Sequence, residues 1–330
     1  LARGASRAAR EAAGISLNRR NSFVQIYLPI ADLPVNMFLI LAMGLAVGFI
    51  SGMFGIGGGF LMTPLLIFVG VNPGVAVASV ASHIAASSSS GAITYWRRNA
   101  IDPPLALMLL AGGVLGTAVG VWLFTILRAL DQLDLMIGVS YVTLLSVVGG
   151  LMVLESLRAI VRARAGRPVV LRRPGSHTWL HGLPFKLRFK RSKIYVSVIP
   201  IWIIGFAIGF IGAIMGIGGG FLLVPMLIYF LRVPTATVIG TSMVLTLVTM
   251  ASATVMHAVT NHLVDAVLAL ILMIGGVIGA QFGTRAGHKM KGEWLRLLLG
   301  LLVLLVGLRF AYQLMAQPQD IYSIRIEGEP

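Results

Sequence analysis

The chain contains no cysteine, which excludes disulfides, thiolate metal sites and cysteine nucleophiles. Charge is scarce as well. Only 11% of the residues are Asp, Glu, Lys or Arg, and only 11 residues are acidic. A soluble domain carries about 25% charged residues, so this composition does not describe a water-covered surface. Within the apolar segments there are no paired carboxylates, no metal-ligand spacing and no nucleophile–base arrangement. No enzyme is therefore expected, and neither a cofactor nor a metal is implied. No ATP-binding motif occurs, which argues against direct ATP drive. The alternating polar and apolar pattern of a membrane β-barrel is missing too.

What is abundant is apolar. Hydrophobic residues make up 57% of the 330, and the mean hydropathy is +0.92. Runs of about 20 apolar residues recur from end to end, long enough to cross a ~30 Å hydrocarbon layer as helices. Backbone polar groups must be satisfied internally in lipid, so such runs predict helices. The expected fold is an all-α membrane protein. The 26 Lys and Arg against 11 acids give a formal charge of +15. They cluster in the first 20 residues, between Arg158 and Lys193, and at helix ends. That is the placement of topology signals facing anionic lipid, so the bilayer is the expected partner and nucleic acid is not.

Residues 1–35 form a polar, Arg-rich extension without the apolar core and small-residue cleavage site of a signal peptide. Hydrophobic segments follow at about 36–54, 60–71, 75–95, 105–127 and 135–154. A basic linker occupies 155–194. Five more segments fall at about 195–215, 221–231, 235–256, 266–286 and 295–316, before a mildly acidic tail at 317–330.

The two series are copies. Residues 44–64, GLAVGFISGMFGIGGGFLMTP, match residues 205–225, GFAIGFIGAIMGIGGGFLLVP, at thirteen of 21 positions with an offset of 161. Pro73 matches Pro234 at the same offset. After a two-residue slip, 99–102 echoes 261–265, and the Gly-rich stretch 112–116 matches 275–279. The expected organisation is a transmembrane repeat at 36–154 and a second at 195–316.

Orientation follows from the Lys/Arg bias. The linker holds eleven Lys/Arg and one Glu, which places it in the cytoplasm. Arg97, Arg98, Arg285, Lys289 and Lys291 belong on the same side, with Asp131, Asp134 and the acidic tail opposite. Five crossings per half satisfy these constraints and make the two halves inverted, as in many secondary transporters. The cost is an Arg-rich N-terminus on the outer side.

The second segment of each half is too short to span a bilayer. Its preceding glycines therefore lie within the membrane depth, where irregular backbone is tolerated only if buried in protein or lining a watery cavity. Gly55, Gly57, Gly58 and Gly59, followed by Phe60, make the first break. Gly216, Gly218, Gly219 and Gly220, followed by Phe221, make the second. Glycine supplies positive φ and close approach. The helix that follows exposes unpaired amides suited to an anion. Two readings stand: the glycines line a substrate path, or they only permit tight helix packing.

The third segments are rich in hydroxyls. Ser79, Ser82, Ser87, Ser88, Ser89, Ser90 and Thr94 fall in the first copy. Thr241, Ser242, Thr246, Thr249, Ser252 and Thr254 fall in the second. Hydroxyls can donate to anion oxygens, and they equally serve helix–helix hydrogen bonding. His83 is the one ionisable side chain deep inside a segment, a candidate to bind an anion or carry a proton, or a neutral packing group. Its counterpart is Val244. Trp96, His257 and His262 fall at helix ends, consistent with interfacial anchoring, and Arg309 is placed to snorkel.

The blocks GMFGIGGGFLMTPLLI and GAIMGIGGGFLLVPMLI, together with Gly240-Thr241-Ser242, resemble the sulfite exporter TauE/SafE family over about 36–316. The leads QIYLPIADLPVN and LPFKLRFKRSKIY are similar to those of a proteobacterial branch. The resemblance implies a permease of the bacterial inner membrane exporting sulfite or an organosulfonate such as sulfoacetate. The substrate-binding positions expected from the breaks, the hydroxyl-rich segments and the buried histidine are Gly55, Gly57, Gly58, Gly59, Phe60, Ser79, Ser82, His83, Gly216, Gly218, Gly219, Gly220, Phe221, Thr241 and Ser242. Where the second half has Gly240-Thr241-Ser242, the first has Ser79-Val80-Ala81, so the two halves would contact a ligand differently. A carrier of another small anion such as a carboxylate, or an anion channel, is the alternative. The stretch 186–198 is either a small hairpin or the basic flank of the next helix.

Overall fold

The computed structural model describes residues 25–54, 58–164, 186–189, 191–192, 194–229, 235–287 and 292–315. The described elements begin with strands β1 (Gln25–Leu28) and β2 (Leu33–Asn36), then helices α1 (Met37–Phe54), α2 (Gly59–Phe68), α3 (Pro73–Arg97), α4 (Pro103–Ala129) and α5 (Leu133–Arg164). The same order then repeats: β3 (Lys186–Phe189), β4 (Ile194–Ser197), α6 (Val198–Met215), α7 (Gly220–Tyr229), α8 (Thr235–Met256), α9 (Ala266–Gly287) and α10 (Gly292–Met315). A π-turn at His257–Asn261 extends α8. Six of these helices are long and apolar enough to cross a membrane. The protein is an all-α membrane protein with two small hairpins.

Both hairpins are antiparallel, with Gln25 opposite Asn36 and Lys186 opposite Ser197. The 161 offset thus carries back to residue 25, inside the stretch that reads from sequence as a polar extension. Of the two readings of 186–198, the hairpin is the one observed. Each hairpin ends in a helix cap. Asn36 Oδ1 accepts the amide of Phe38 at 2.9 Å, and Ser197 Oγ accepts that of Ile199 at 3.3 Å. Such caps satisfy amides that have no acceptor inside the helix.

By internal contacts the chain forms two compact units, one of residues 1–125 with 174–288, the other of 126–173 with 289–330. In the second unit α5 and α10 pair antiparallel. Tyr141 and Phe310 stack with ring centroids 5.4 Å apart. Further along, a Cβ on Gly307 would sit 3.1 Å from Leu145 Cβ, and one on Gly300 would sit 3.0 Å from Met152 Cβ.

The first unit is built on two glycine seams. Along α1 and α9, Gly48 lies so close to the backbone of Gly276 that any Cβ there would collide with it. Along α6 and α4, Gly209 meets the backbone of Gly113 in the same way. Gly48 and Gly209 are equivalent by the 161 offset, and Gly113 and Gly276 by the later offset of 163. The first helix of each copy therefore packs on the fourth helix of the other. Small residues at such seams let dispersion between backbones replace the hydrophobic effect, which is weak between helices in lipid. The third helices, α3 and α8, cross antiparallel. Gly91 faces Met243, and Gly240 faces Tyr95 and the carbonyl of Ala100.

A buried aspartate clasps each hairpin. Asp265 Oδ2 accepts the amide of Ile30 at 2.9 Å, while its Oδ1 accepts those of Val267 and Leu268 at the start of α9. Its equivalent Asp102 accepts both the amide and the hydroxyl of Ser192 at 2.8 Å. The difference has a local cause. Residues 103 and 104 are prolines, so the start of α4 offers Asp102 fewer amides to cap.

Candidate functional site

The two glycine breaks come together in the first unit. Helices α2 and α7 have ten residues each, a reach of about 15 Å at 1.5 Å per residue. Neither can cross the hydrocarbon alone. Their first side chains, Phe60 and Phe221, are fully buried and stack with centroids 4.6 Å apart and planes 13° from parallel. A Cβ on Gly59 would lie 2.5 Å from the carbonyl oxygen of Gly216 and 2.7 Å from that of Ile217, so the backbones of the two breaks touch. Thr63 Oγ1 donates to the Gly216 carbonyl at 3.3 Å.

Positive φ is required at Gly58 (66°), Gly216 (64°) and Gly218 (70°). L-residues with a Cβ rarely adopt this region. Gly58 has only 2.9 Å between its virtual Cβ and Ser51 Cβ, and Gly219 would collide with Ile208. Gly58, Gly59 and all of 216–220 are buried. These glycines pack tightly, and they do so where two helix N-termini converge. Gly55 and Gly57 lie outside the described residues.

Most hydroxyls of α3 and α8 are already committed. Ser82 donates to Ser79 O at 2.6 Å, Ser87 to Ile84 O, Ser89 to Ala86 O and Thr94 to Ser90 O. Ser242 donates to Ile239 O and Thr249 to Leu245 O, both at 2.8 Å. These bonds fold the hydroxyl back onto its own helix. Ser79 is used differently: its Oγ accepts the amide of Asp265 at 3.0 Å, which ties α3 to the hairpin clasp.

Among the described residues, four buried polar atoms have no partner: His83 Nε2, Ser88 Oγ, Thr241 Oγ1 and Thr246 Oγ1. Leaving a buried polar group unpaired costs about 1–3 kcal/mol, so each needs an explanation. Thr246 borders the second break, its methyl 3.4 Å from a virtual Cβ on Gly218. The antiparallel register of Gly91 with Met243 brings Ser88 level with Thr246 one turn further along. His83 is wholly buried, and its Nδ1 lies 2.7 Å from the carbonyl of Leu272. A carbonyl only accepts, so Nδ1 carries the proton and Nε2 presents a bare lone pair in the neutral ring. Gly276 makes room for the imidazole, since a Cβ there would strike the ring.

Several functional candidates escape sequence reasoning. Ser88 and Thr246 stand among many hydroxyls, and only packing separates the unpaired ones from the back-bonded ones. His257 is not an interfacial anchor. It is wholly buried, donates through Nε2 to Ala213 O at 3.1 Å, accepts at Nδ1 from Asn261 Nδ2 at 3.2 Å, and stands edge-on to Phe124. It continues the buried face of α8 one turn beyond Met250 and Ala253, at the start of the π-turn. Trp96 is exposed at its helix end, as an interfacial role requires.

The chain matches the family model described as sulfite exporter TauE/SafE over residues 40–310. A probable membrane transporter protein of Xylella fastidiosa (strain 9a5c) is 30% identical over 283 residues, covering 83% of this chain and 94% of that protein. Probable membrane transporter protein YunE of Bacillus subtilis is 23% identical over 290 residues, covering 84% of this chain and 98% of its own. A shorter match, 42% over 60 residues and 18% of the chain, is to sulfite exporter TauE/SafE family protein 1 of Arabidopsis thaliana. No solved structure matches. The family model spans both glycine breaks and the helices packed on them, and the chain therefore belongs to the sulfite exporter TauE/SafE family of multi-pass membrane transporters.

Proposed function

We propose that the chain is a secondary transporter that exports a small sulfur-containing anion, sulfite or an organosulfonate, by alternating access. The observation that carries this reading is the convergence of two short helix starts at the Phe60–Phe221 stack, with unpaired polar atoms on the helices around them. Helix N-termini favour anions. Ser88, Thr241 and Thr246 retain hydroxyl donors for oxyanion oxygens. The family description supplies sulfite as the solute class.

In this reading the two halves are inverted copies that rock about the stacked phenylalanines. The equivalent seams, Gly48 on Gly276 and Gly209 on Gly113, support such a two-fold arrangement. The buried, closely packed breaks correspond to a state closed at the centre, and separation of the stack opens it. The lone pair on His83 Nε2 accepts a proton, either from a protonated oxyanion or as a co-transported ion.

Flux into proteoliposomes tests this. Saturable sulfite or sulfoacetate transport, with acetate and chloride inert, is the expected result. Gly58→Leu and Gly219→Leu should abolish it while expression persists. Undiminished flux in both variants would remove the glycine breaks from the substrate path. Non-saturating chloride conductance would point to a channel, and preference for acetate to a carboxylate carrier.

A further inference from the structure

One apolar side chain reaches both glycine breaks. Ile84, on α3, is fully buried. Its Cδ1 stands where a Cβ on Gly59 would have to go, so any side chain there would collide with it. Its Cγ2 lies 2.7 Å, and its Cδ1 3.3 Å, from the virtual Cβ of Gly218. Gly59 belongs to the first break and Gly218 to the second. The two methyl groups of a single isoleucine therefore fill the space beside both. The methyl of Thr246, whose hydroxyl has no partner, lies 3.4 Å from the same virtual Cβ on Gly218. An apolar wall and an unpaired hydroxyl thus flank one glycine of the second break.

Helix packing calls for some apolar residue on this face of α3, but two observations set Ile84 apart. Its equivalent at the 161 offset is Leu245. Leu245 meets the α4 seam, with its Cδ1 2.8 Å from the virtual Cβ of Gly113, and packs in the apolar core with Leu109 and Ile204. The duplication alone therefore does not dictate a wedge at the breaks. Ile84 is also β-branched, and in a helix such a side chain holds one χ1 rotamer about 90% of the time. Its Cγ2 stays against Gly218 while α3 is intact, and only Cδ1, on the Gly59 side, turns about χ2. The room beside the breaks is set by this rigid side chain. An anion whose oxygens take the amides of the helix starts leaves any organic substituent to meet it. Sulfite has no such substituent, whereas a sulfonate carries a carbon chain.

We propose that Ile84 sets the size limit of the transported anion and selects sulfite, or another compact oxyanion, over organosulfonates. The proposal rests on the reading that the anion passes the glycine breaks. Because Ile84 touches both breaks, it stays beside one of them whichever half moves. Trimming it opens space first on the Gly59 side and then on the Gly218 side.

The experiment is uptake of radiolabelled sulfite, methanesulfonate and ethanesulfonate into proteoliposomes, measured on one vesicle batch and expressed as ratios to sulfite. Such ratios do not depend on how much protein is folded. The wild type should favour sulfite. Ile84→Val deletes only Cδ1 and should raise the methanesulfonate ratio about tenfold, the low end of what one methylene is worth in an apolar pocket. Ile84→Ala, which also deletes Cγ2, should extend the gain to ethanesulfonate. Leu245→Ala trims an equally buried side chain on the α4 seam and should leave both ratios unchanged. A parallel series of formate, acetate and propionate separates this proposal from the assignment of the solute. Wild-type preference for carboxylates would remove the sulfur reading, and Ile84 would then be judged by the acetate-to-formate ratio. Unchanged ratios in both Ile84 variants, an equal shift in Leu245→Ala, or loss of all flux in a folded Ile84→Val variant would overturn the proposal while leaving wild-type sulfite transport in place. Absence of wild-type flux for every anion would overturn both.

Discussion

Phe60 and Phe221 stand at equivalent positions of the two copies, and their rings stack at 4.6 Å with planes 13° apart. Each ring follows a glycine break and opens a helix too short to span the membrane. The stack joins the two copies where their breaks also touch.

Phe60→Ala and Phe221→Ala should each destabilise the fold by about 3–5 kcal/mol, since both rings are fully buried. The pair should be coupled by about 0.5–1.5 kcal/mol beyond their separate burial. A double-mutant cycle on unfolding in detergent measures this. Strict additivity would show that the rings pack independently.

His83 donates through Nδ1 to Leu272 O, so His83→Asn can keep that bond while removing the titrating nitrogen. Sulfite flux should survive in this variant but lose its pH dependence and any accompanying proton movement. Flux with pH-sensitive dye in the same vesicles reads both. A variant with unchanged proton coupling would make His83 a packing group.

The hairpin clasp predicts a local effect. Asp265→Ala leaves the amides of Ile30, Val267 and Leu268 without their acceptor, at about 1–3 kcal/mol for each unmet group. Hydrogen exchange at 25–36 should rise sharply, while exchange at the 186–197 hairpin stays low. Asp102→Ala should do the reverse, through Ser192. Uniform exchange across both hairpins in either variant would contradict the clasp.

Glycines divide by location. Gly48→Val should prevent assembly of α1 on α9, because a Cβ there meets the Gly276 backbone, which cannot yield. Gly150 has nothing within 4 Å of its virtual Cβ, so Gly150→Ala should be neutral or stabilising by up to about 1 kcal/mol through helix propensity. Melting temperatures and monodispersity of the two variants check the contrast.

The helix plan was legible because lipid leaves the chain so few options. Every predicted segment corresponds to a helix, including the short ones after the breaks, since an apolar run must satisfy its own backbone. The site was legible only in outline. The glycine breaks announced themselves by duplication, but Ser88 and Thr246 are chemically identical to neighbours that bond their own helices. Asp265 and Asp102 read as loop residues, and their grip on hairpin turns 235 and 90 residues away has no local signature.

By itself the sequence determined the solvent, the helical class and the duplication, because these follow from hydropathy, length and repetition along one dimension. Only the tertiary structure decided which glycines meet backbone, which hydroxyls remain unpaired, and that His257 is buried. Those facts depend on which faces of distant helices come into contact, and packing between segments is not encoded in the periodicity of any one of them.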